Sequence, residues 1–339
     1  MSQSKPPTGK IVFFVLFLLL IIVALVGISV TTGGADMTMD DACSAILHKF
    51  FPDQYESSWL ADVCVWNLRL PRIVLAILAG ISLGIAGGIM QWALRNPLAS
   101  PYTLGISSSA GSGASLAILA GAGIVGGKYL ILCAAFVSAL IATSFILYIS
   151  SRRWATPKRV VLIGIIIVIL SRPVMTRLLM YFGAAEAVKE AVFWMIGDLN
   201  RASWPVLAVM AGTIVLCAIL LLLPIILPPL FGADERRTRT YAMVVASLLT
   251  ATTVCFTGTI GFIGLLAPHI CRWVIGDYHR FVIPVSGLVG AVLLLGSDLV
   301  ARTVIAPLIT PVGGVTVVMG LPFLMYLLLR KGVREVRVT

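Results

Sequence analysis

Residues 11–30 carry no charged side chain, and apolar runs of similar length recur to the end of the chain. A helix rises 1.5 Å per residue, so about 20 apolar residues cross a hydrocarbon core roughly 30 Å thick. In lipid every backbone N–H and C=O must find its partner inside the protein, which leaves helices and closed barrels. Barrel strands would read as short alternating segments, and these runs are continuous. Of the 339 residues, 59% are hydrophobic and 12% charged, against about 25% charged in a soluble domain. The sequence therefore predicts an all-α polytopic membrane protein.

The apolar runs place spans at residues 11–31, 72–94, 104–121, 129–150, 160–181, 205–228, 240–259, 262–275, 283–302 and 313–330. About ten transmembrane helices put both termini on one side. The first run is long for the apolar part of a signal peptide, and no small-x-small site follows it, so it is read as a membrane helix. Basic residues collect in cytoplasmic segments. Lys5, Lys10, Arg152, Arg153, Lys158, Arg159, Arg236, Arg237, Arg239, Arg330, Lys331, Arg334 and Arg337 all fall on the side of the termini. Both termini are thus expected in the cytoplasm, and the net charge of +11 reads as topology and not as nucleic-acid binding. The division that follows is a cytoplasmic tail 1–10, one transmembrane domain 11–330 and a cytoplasmic tail 331–339. Within the domain lie an outer loop 32–71 and an inner loop 229–239. The location is the cell membrane, with the lipid bilayer as solvent.

Six cysteines make no framework. Cys43 and Cys64 share the polar outer loop, where either a disulfide or two free thiols fit. The three histidines have no metal-ligand spacing, and His269, after Pro268, is expected to hydrogen-bond at a helix break. No metal site is expected. No P-loop, HExxH pair or Ser/His/Asp cluster appears, so no residue is assigned a catalytic role. Trp194 and Trp204, in the outer segment 182–204, read as interface anchors.

Four features stand out. Gly80, Gly84 and Gly88, at i, i+4 and i+8, give one helix face on which another backbone can pack closely. Arg69, Arg72 and Arg302 lie at the outer ends of their spans. They either snorkel, with an i,i+4 pair between Asp298 and Arg302, or present guanidinium forks to carboxylates on a partner. Arg172, before Pro173, falls near mid-bilayer, where a charge faces a cavity or a counter-charge such as Asp298; the pair is a candidate for the translocation path. Asp298 is the one acid inside the expected spans, which argues against an ion-coupled carrier.

Several segments together resemble the permease subunits of iron-siderophore, haem and cobalamin ABC importers. They are Arg69–Gly105 (RLPRIVLAILAGISLGIAGGIMQWALRNPLASPYTLG), Trp194–Gly197, Thr257–His269 (TGTIGFIGLLAPH), Asp298–Arg302 (DLVAR), and Pro311–Thr316 with Gly320–Phe323. They occur in family order over residues 60–330. The resemblance implies a type II ABC importer permease fold and an importer role driven by ATP. It implies a second permease copy, two ATPase subunits, an extracytoplasmic binding protein and a metal-chelate substrate moving along the dimer interface. The chain would hold no cofactor, with ATP and Mg on the partner ATPase. Arg69, Arg72 and Arg302 match the positions that dock the binding protein in this family. ATPase coupling would fall on Gly232, Asp234, Glu235, Arg236, Arg237 and Arg239. In the inner loop only Phe231-Gly232 keeps the family pattern, and Ile309-Thr310 stands where the family has Glu-Leu before Pro311. The first departure leaves an ATP-independent carrier or channel, or a subunit that has lost coupling, as the alternative.

Overall fold

The computed structural model describes residues 8–33, 37–121, 127–150, 152, 156–226, 235–304 and 310–329. Ten apolar helices in the described residues follow the ten expected runs. They are α1 (Thr8–Thr31), α4 (Leu70–Ala93), α5 (Ile106–Leu119), α6 (Gly127–Ser150), α7 (Pro157–Phe182), α9 (Trp204–Ile226), α10 (Glu235–Thr257), α11 (Ile263–Ile275), α12 (His279–Thr303) and α13 (Val312–Leu329). Seven of the helices are long and apolar enough to cross a membrane; Ile106–Leu119, Ile263–Ile275 and Val312–Tyr326 are shorter. Two short helices, α2 (Met39–His48) and α3 (Trp59–Val63), fold the outer loop. A π-helical turn, Cys64–Arg69, joins α3 to α4 without a break. α8 (Ala185–Ile196) occupies the segment read as an outer loop.

α4 is the hub, packing against α9, α10, α11 and α12. The tightest seam is α4 on α12. A Cβ at Gly80 would stand 2.4 Å from the carbonyl oxygen of Gly290, and one at Gly84 2.1 Å from that of Ser286. No side chain fits at such distances, so the seam needs glycine on both helices. Apolar side chains gain little by leaving lipid for one another, and close packing is what holds membrane helices together. Gly88 is less confined, its Cβ position being 3.5 Å from Ile283. Gly87, which the i,i+4 pattern skipped, packs on α11: a Cβ there would meet the Gly264 carbonyl at 1.8 Å.

α1 lies at the edge of the bundle. Its Ile11, Phe14 and Leu18 form an apolar cluster with Ala267, Cys271, Val285 and Val289 of α11 and α12. Much of its remaining surface is exposed apolar side chain, such as Phe13, Leu16, Leu20 and Val23, as lipid contact requires. Cys43 and Cys64 are both free thiols, the first exposed on α2 and the second buried in the π-helical turn, so no disulfide closes the outer loop.

Trp194 is not an interface anchor. It is 1% exposed, because α8 folds back to pack against α5. The junction below it is tied by backbone bonds: Asp198 N donates to Thr257 O at 2.8 Å, and Gly313 N to Gly197 O at 3.1 Å. These bonds fasten three of the motifs singled out in the sequence, Trp194–Gly197, Thr257–His269 and Pro311–Thr316, at one point. Trp204 is 45% exposed, and its indole donates to Trp66 O at 3.0 Å.

Candidate functional site

At the outer end of the bundle two arginines, Arg72 and Arg302, converge on one carboxylate, and a third, Arg69, lies near Arg302. Arg72 opens α4, Arg69 sits one turn earlier in the π-helical turn, and Arg302 closes α12. Asp298 is one helical turn before Arg302 and fully buried. Arg72 Nε meets Asp298 Oδ1 at 2.8 Å, and Arg302 Nε meets Oδ2 at 3.0 Å. The i,i+4 pair expected from the sequence is present, and Arg72, 226 residues away in the chain, shares its acid. Asp298 Oδ1 thus accepts a hydrogen bond from Arg72, while Oδ2 stands at ion-pair distance from Arg302 without one. Arg72 Nη1 also donates to the side-chain carbonyl of Asn200, in the loop between α8 and α9.

The arginines do not reach into solvent by snorkelling. Arg69, Arg72 and Arg302 are 6%, 7% and 9% exposed. Arg72 is covered by Asp298 and Asn200, and Arg69 and Arg302 meet the end of α1. Its last carbonyls have no partners within the helix, and they carry the negative end of the helix dipole. Arg69 Nη1 donates to Val30 O at 2.5 Å and Thr31 O at 2.9 Å. Arg302 Nη1 donates to Ser29 O at 3.2 Å and Thr32 O at 3.0 Å. Two guanidinium groups from two other helices thus cap the first one. The sequence does not reveal this, because backbone acceptors leave no mark in side-chain spacing.

Two guanidinium groups, of Arg72 and Arg302, share the one buried carboxylate of Asp298, an arrangement that burial makes costly to break. Among the described residues, Arg72 Nη2, Arg302 Nη2 and Arg302 Nε have no hydrogen-bond partner, and neither has Asp298 Oδ2. A group able to accept from these donors is a carboxylate or another anion. Beside the cluster, Arg201 lies 4.4 Å over the Trp194 ring and 4.0 Å from Asp198. Burial lowers the pKa of Arg201, while Asp198 and Glu190 oppose the shift.

The other expected site residues lie apart from this cluster. Arg172 and Pro173 fall within α7, which runs through Pro173 as one helix; their side chains are outside the described residues. Gly232 and Asp234 are outside them altogether. Glu235 and Arg236 open α10. Arg237 is exposed, and Arg239 stands 5.7 Å over the Trp92 ring near the inner end of α4. The sequence reading missed a second inner tie. Arg272 of α11 bonds Gln91 Oε1 at 2.5 Å and Asp277 at 3.0 Å, fastening α4 to α11. His269 has the hydrogen bond its setting suggests, Nδ1 to Leu265 O at 2.8 Å. Among the described residues no group of histidine, cysteine and acidic side chains could hold a metal ion.

A glycine-seamed bundle with a buried polar cluster at one end and basic helix starts at the other defines a multi-pass membrane permease. The model of the FecCD transport family matches residues 18–225 and 229–330, and the chain belongs to that family. It is 37% identical over 296 residues to the cobalamin import system permease protein BtuC of Halobacterium salinarum, covering 84% of this chain and 78% of the relative. It is 34% identical over 280 residues to the hemin transport system permease protein HmuU of Yersinia pestis, covering 79% and 84%. Among solved structures it resembles one described as an inward-facing conformation of a metal-chelate type ABC transporter. That match has a TM-score of 0.75 and 25% identity, over 92% of this chain and 97% of the other. The chain is a multi-pass inner-membrane permease subunit of an ABC importer and not an enzyme; ATP hydrolysis belongs to a separate subunit.

Proposed function

We propose that this permease works as a homodimer and carries a metal-chelate substrate, of the cobalamin, haem or iron-siderophore kind, along the dimer interface. An extracytoplasmic binding protein delivers the substrate at the outer end, and two ATPase subunits act at the inner end. Both termini lie in the cytoplasm. The observation that carries the reading is the arginine cluster at the outer end, where Arg72 and Arg302 share Asp298 and the buried donors Arg72 Nη2 and Arg302 Nη2 are among those without a hydrogen bond. Carboxylates on a binding protein would accept from such donors, with Arg69, Arg72 and Arg302 as the receiving groups. Arg172 and Pro173 are assigned to the path, where the charge of Arg172 would favour an anionic cargo. The relatives named for cobalamin and hemin support the substrate class.

At the inner end, coupling runs through Gly232, Asp234, Glu235, Arg236, Arg237 and Arg239. The permease has no nucleotide site of its own, and ATP with Mg acts on the partner. ATP binding shifts the permease between access states by contacting one of them better than the other. Co-purification with the cognate ATPase tests this. The wild type is expected to hold the ATPase through size exclusion, and reversal of Arg236, Arg237 and Arg239 to Glu is expected to release it. An ATPase that stays bound to the triple variant overturns the coupling assignment.

A further inference from the structure

We propose that Asn200 is the positioning residue through which docking acts inside the permease: its side chain yields Arg72 to a carboxylate of the docked protein, and the displaced turn moves the start of α13. The inference rests on the docking reading above and adds a step to it. A guanidinium offers a carboxylate fork two edges, Nε with one Nη and Nη1 with Nη2. At Arg72 the first edge is engaged, since Nε donates to Asp298 Oδ1 at 2.8 Å. On the second edge Nη1 donates to the side-chain carbonyl of Asn200, and Nη2 has no hydrogen-bond partner among the described residues. Arg72 is buried whereas Asn200 is exposed. An incoming carboxylate thus meets Asn200 first, and it takes both Nη atoms only when Asn200 leaves. The exchange is favourable, because a carboxylate brings a full charge and two oxygens where the amide brings one neutral oxygen.

The turn that carries Asn200 is fastened to the junction of three helices. Asn200 N donates to Asp198 Oδ1 at 2.7 Å, and Asp198 N in turn donates to Thr257 O at 2.8 Å, at the end of α10. Gly313 N, at the start of α13, donates to Gly197 O at 3.1 Å. No side chain cushions these contacts. A Cβ at Gly313 would stand 1.7 Å from Ile196 O, and one at Gly258 2.6 Å from Trp194 O. The ends of α8 and α10 and the start of α13 therefore touch backbone to backbone, and close-packed contacts transmit a shift instead of absorbing it. On the other side, Arg72 belongs to α4, which the glycine seam locks to α12. Asn200 is thus a polar tie from that seam to the junction, with two discrete states, held on Arg72 or released, and docking biases it toward release.

Two readouts on the reconstituted permease with its ATPase test this: the affinity of the cognate binding protein, and the distance between spin labels at Val304→Cys, after α12, and Val318→Cys, on α13. Both positions are exposed, and the exposed Cys43 and Cys133 are replaced by Ser. In the otherwise native chain the distance is expected to change when the binding protein is added. Asn200→Ala cuts the tie and leaves Arg72 open, so it should bind within about threefold of wild type or tighter and show no docking-induced change. Asn200→Asp holds Arg72 with a second carboxylate and should bind about tenfold more weakly. Arg72→Gln removes the receiving charge and should weaken binding at least as much. A residue that merely held the fold would not separate affinity from motion in this way. If Arg72→Gln binds as wild type, the docking reading fails and the tie with it. If Arg72→Gln weakens binding while Asn200→Asp does not, or while Asn200→Ala keeps the wild-type change in distance, docking stands and the tie is wrong. Loss of binding by Asn200→Ala, or an unchanged distance in the otherwise native chain, also overturns the proposal.

Discussion

Replacing Asp298 by Asn removes a charge and keeps the shape. Asp298 is 0% exposed and is shared by Arg72 at 2.8 Å and Arg302 at 3.0 Å. At an effective dielectric of about 20, two unit charges roughly 3 Å apart attract by about 5 kcal/mol before desolvation is subtracted. Breaking a buried pair by deleting one partner costs about 3–5 kcal/mol, because the other charge is left buried and alone. Here two partners are stranded, so the upper half of that range is expected. The assay is reversible unfolding of the detergent-solubilised chain in SDS, followed by tryptophan fluorescence. The same change made on a background of Arg72→Gln and Arg302→Gln should cost nothing or stabilise, since Asp298 is then itself the stranded buried charge. If Asp298→Asn in the otherwise native chain stays within about 1 kcal/mol of wild type, the cluster is not a buried charge network and the reasoning fails.

Three further outcomes follow from the same structure. Gly84→Leu should prevent a folded monomer from being purified, since even a Cβ would stand 2.1 Å from the Ser286 carbonyl, whereas Gly88→Ala, with 3.5 Å to its nearest neighbour, should purify normally; size exclusion in detergent distinguishes them. Asp41 caps α2, accepting from the Thr38 hydroxyl at 2.7 Å and the Thr38 backbone at 3.0 Å, and these bonds hold its pKa below the ordinary 3.8. A depressed carboxylate pKa means the stabilisation is present above the unfolded value and lost as pH falls through the folded one; a fluorophore on Cys43 should therefore report loosening of α2 only below about pH 4, and Thr38→Ala should raise that midpoint. Cys43 is exposed on the outer loop while Cys64, Cys217, Cys255 and Cys271 are buried; an impermeant maleimide added outside intact cells should label Cys43, and labelling only after permeabilisation would reverse the orientation.

The ten apolar runs were legible because a helix packed in lipid leaves a one-dimensional mark, a long stretch with few charges, even where three of the helices are shorter. The glycine seam was legible in part. The i,i+4 spacing of Gly80 and Gly84 marks a face, but Gly87 serves a different neighbour, α11, and only the three-dimensional arrangement tells the two apart. The pair Asp298–Arg302 could be read from helical spacing. That Arg72 shares the acid could not, since the two are 226 residues apart. The arginines were expected at the surface because they stand at helix ends. Arg69 and Arg302 instead meet the carbonyl end of α1, a feature common to every helix and so invisible in residue identity. α8 was missed because residues 182–204 mix Glu186, Lys189 and Glu190 with apolar residues, a pattern shared by surface loops; its buried face, Ala191 and Trp194, is defined by packing on α5.

The central claim, ATP-driven import through this permease, is tested most directly by uptake into proteoliposomes holding the chain with its ATPase, Mg-ATP and the substrate-loaded binding protein. The substrates offered would be cyanocobalamin, hemin and a ferric siderophore. The account predicts uptake of one of them that disappears when the ATPase is omitted or ATP is replaced by a non-hydrolysable analogue. Uptake at full rate by the chain alone would contradict it and establish an ATP-independent carrier.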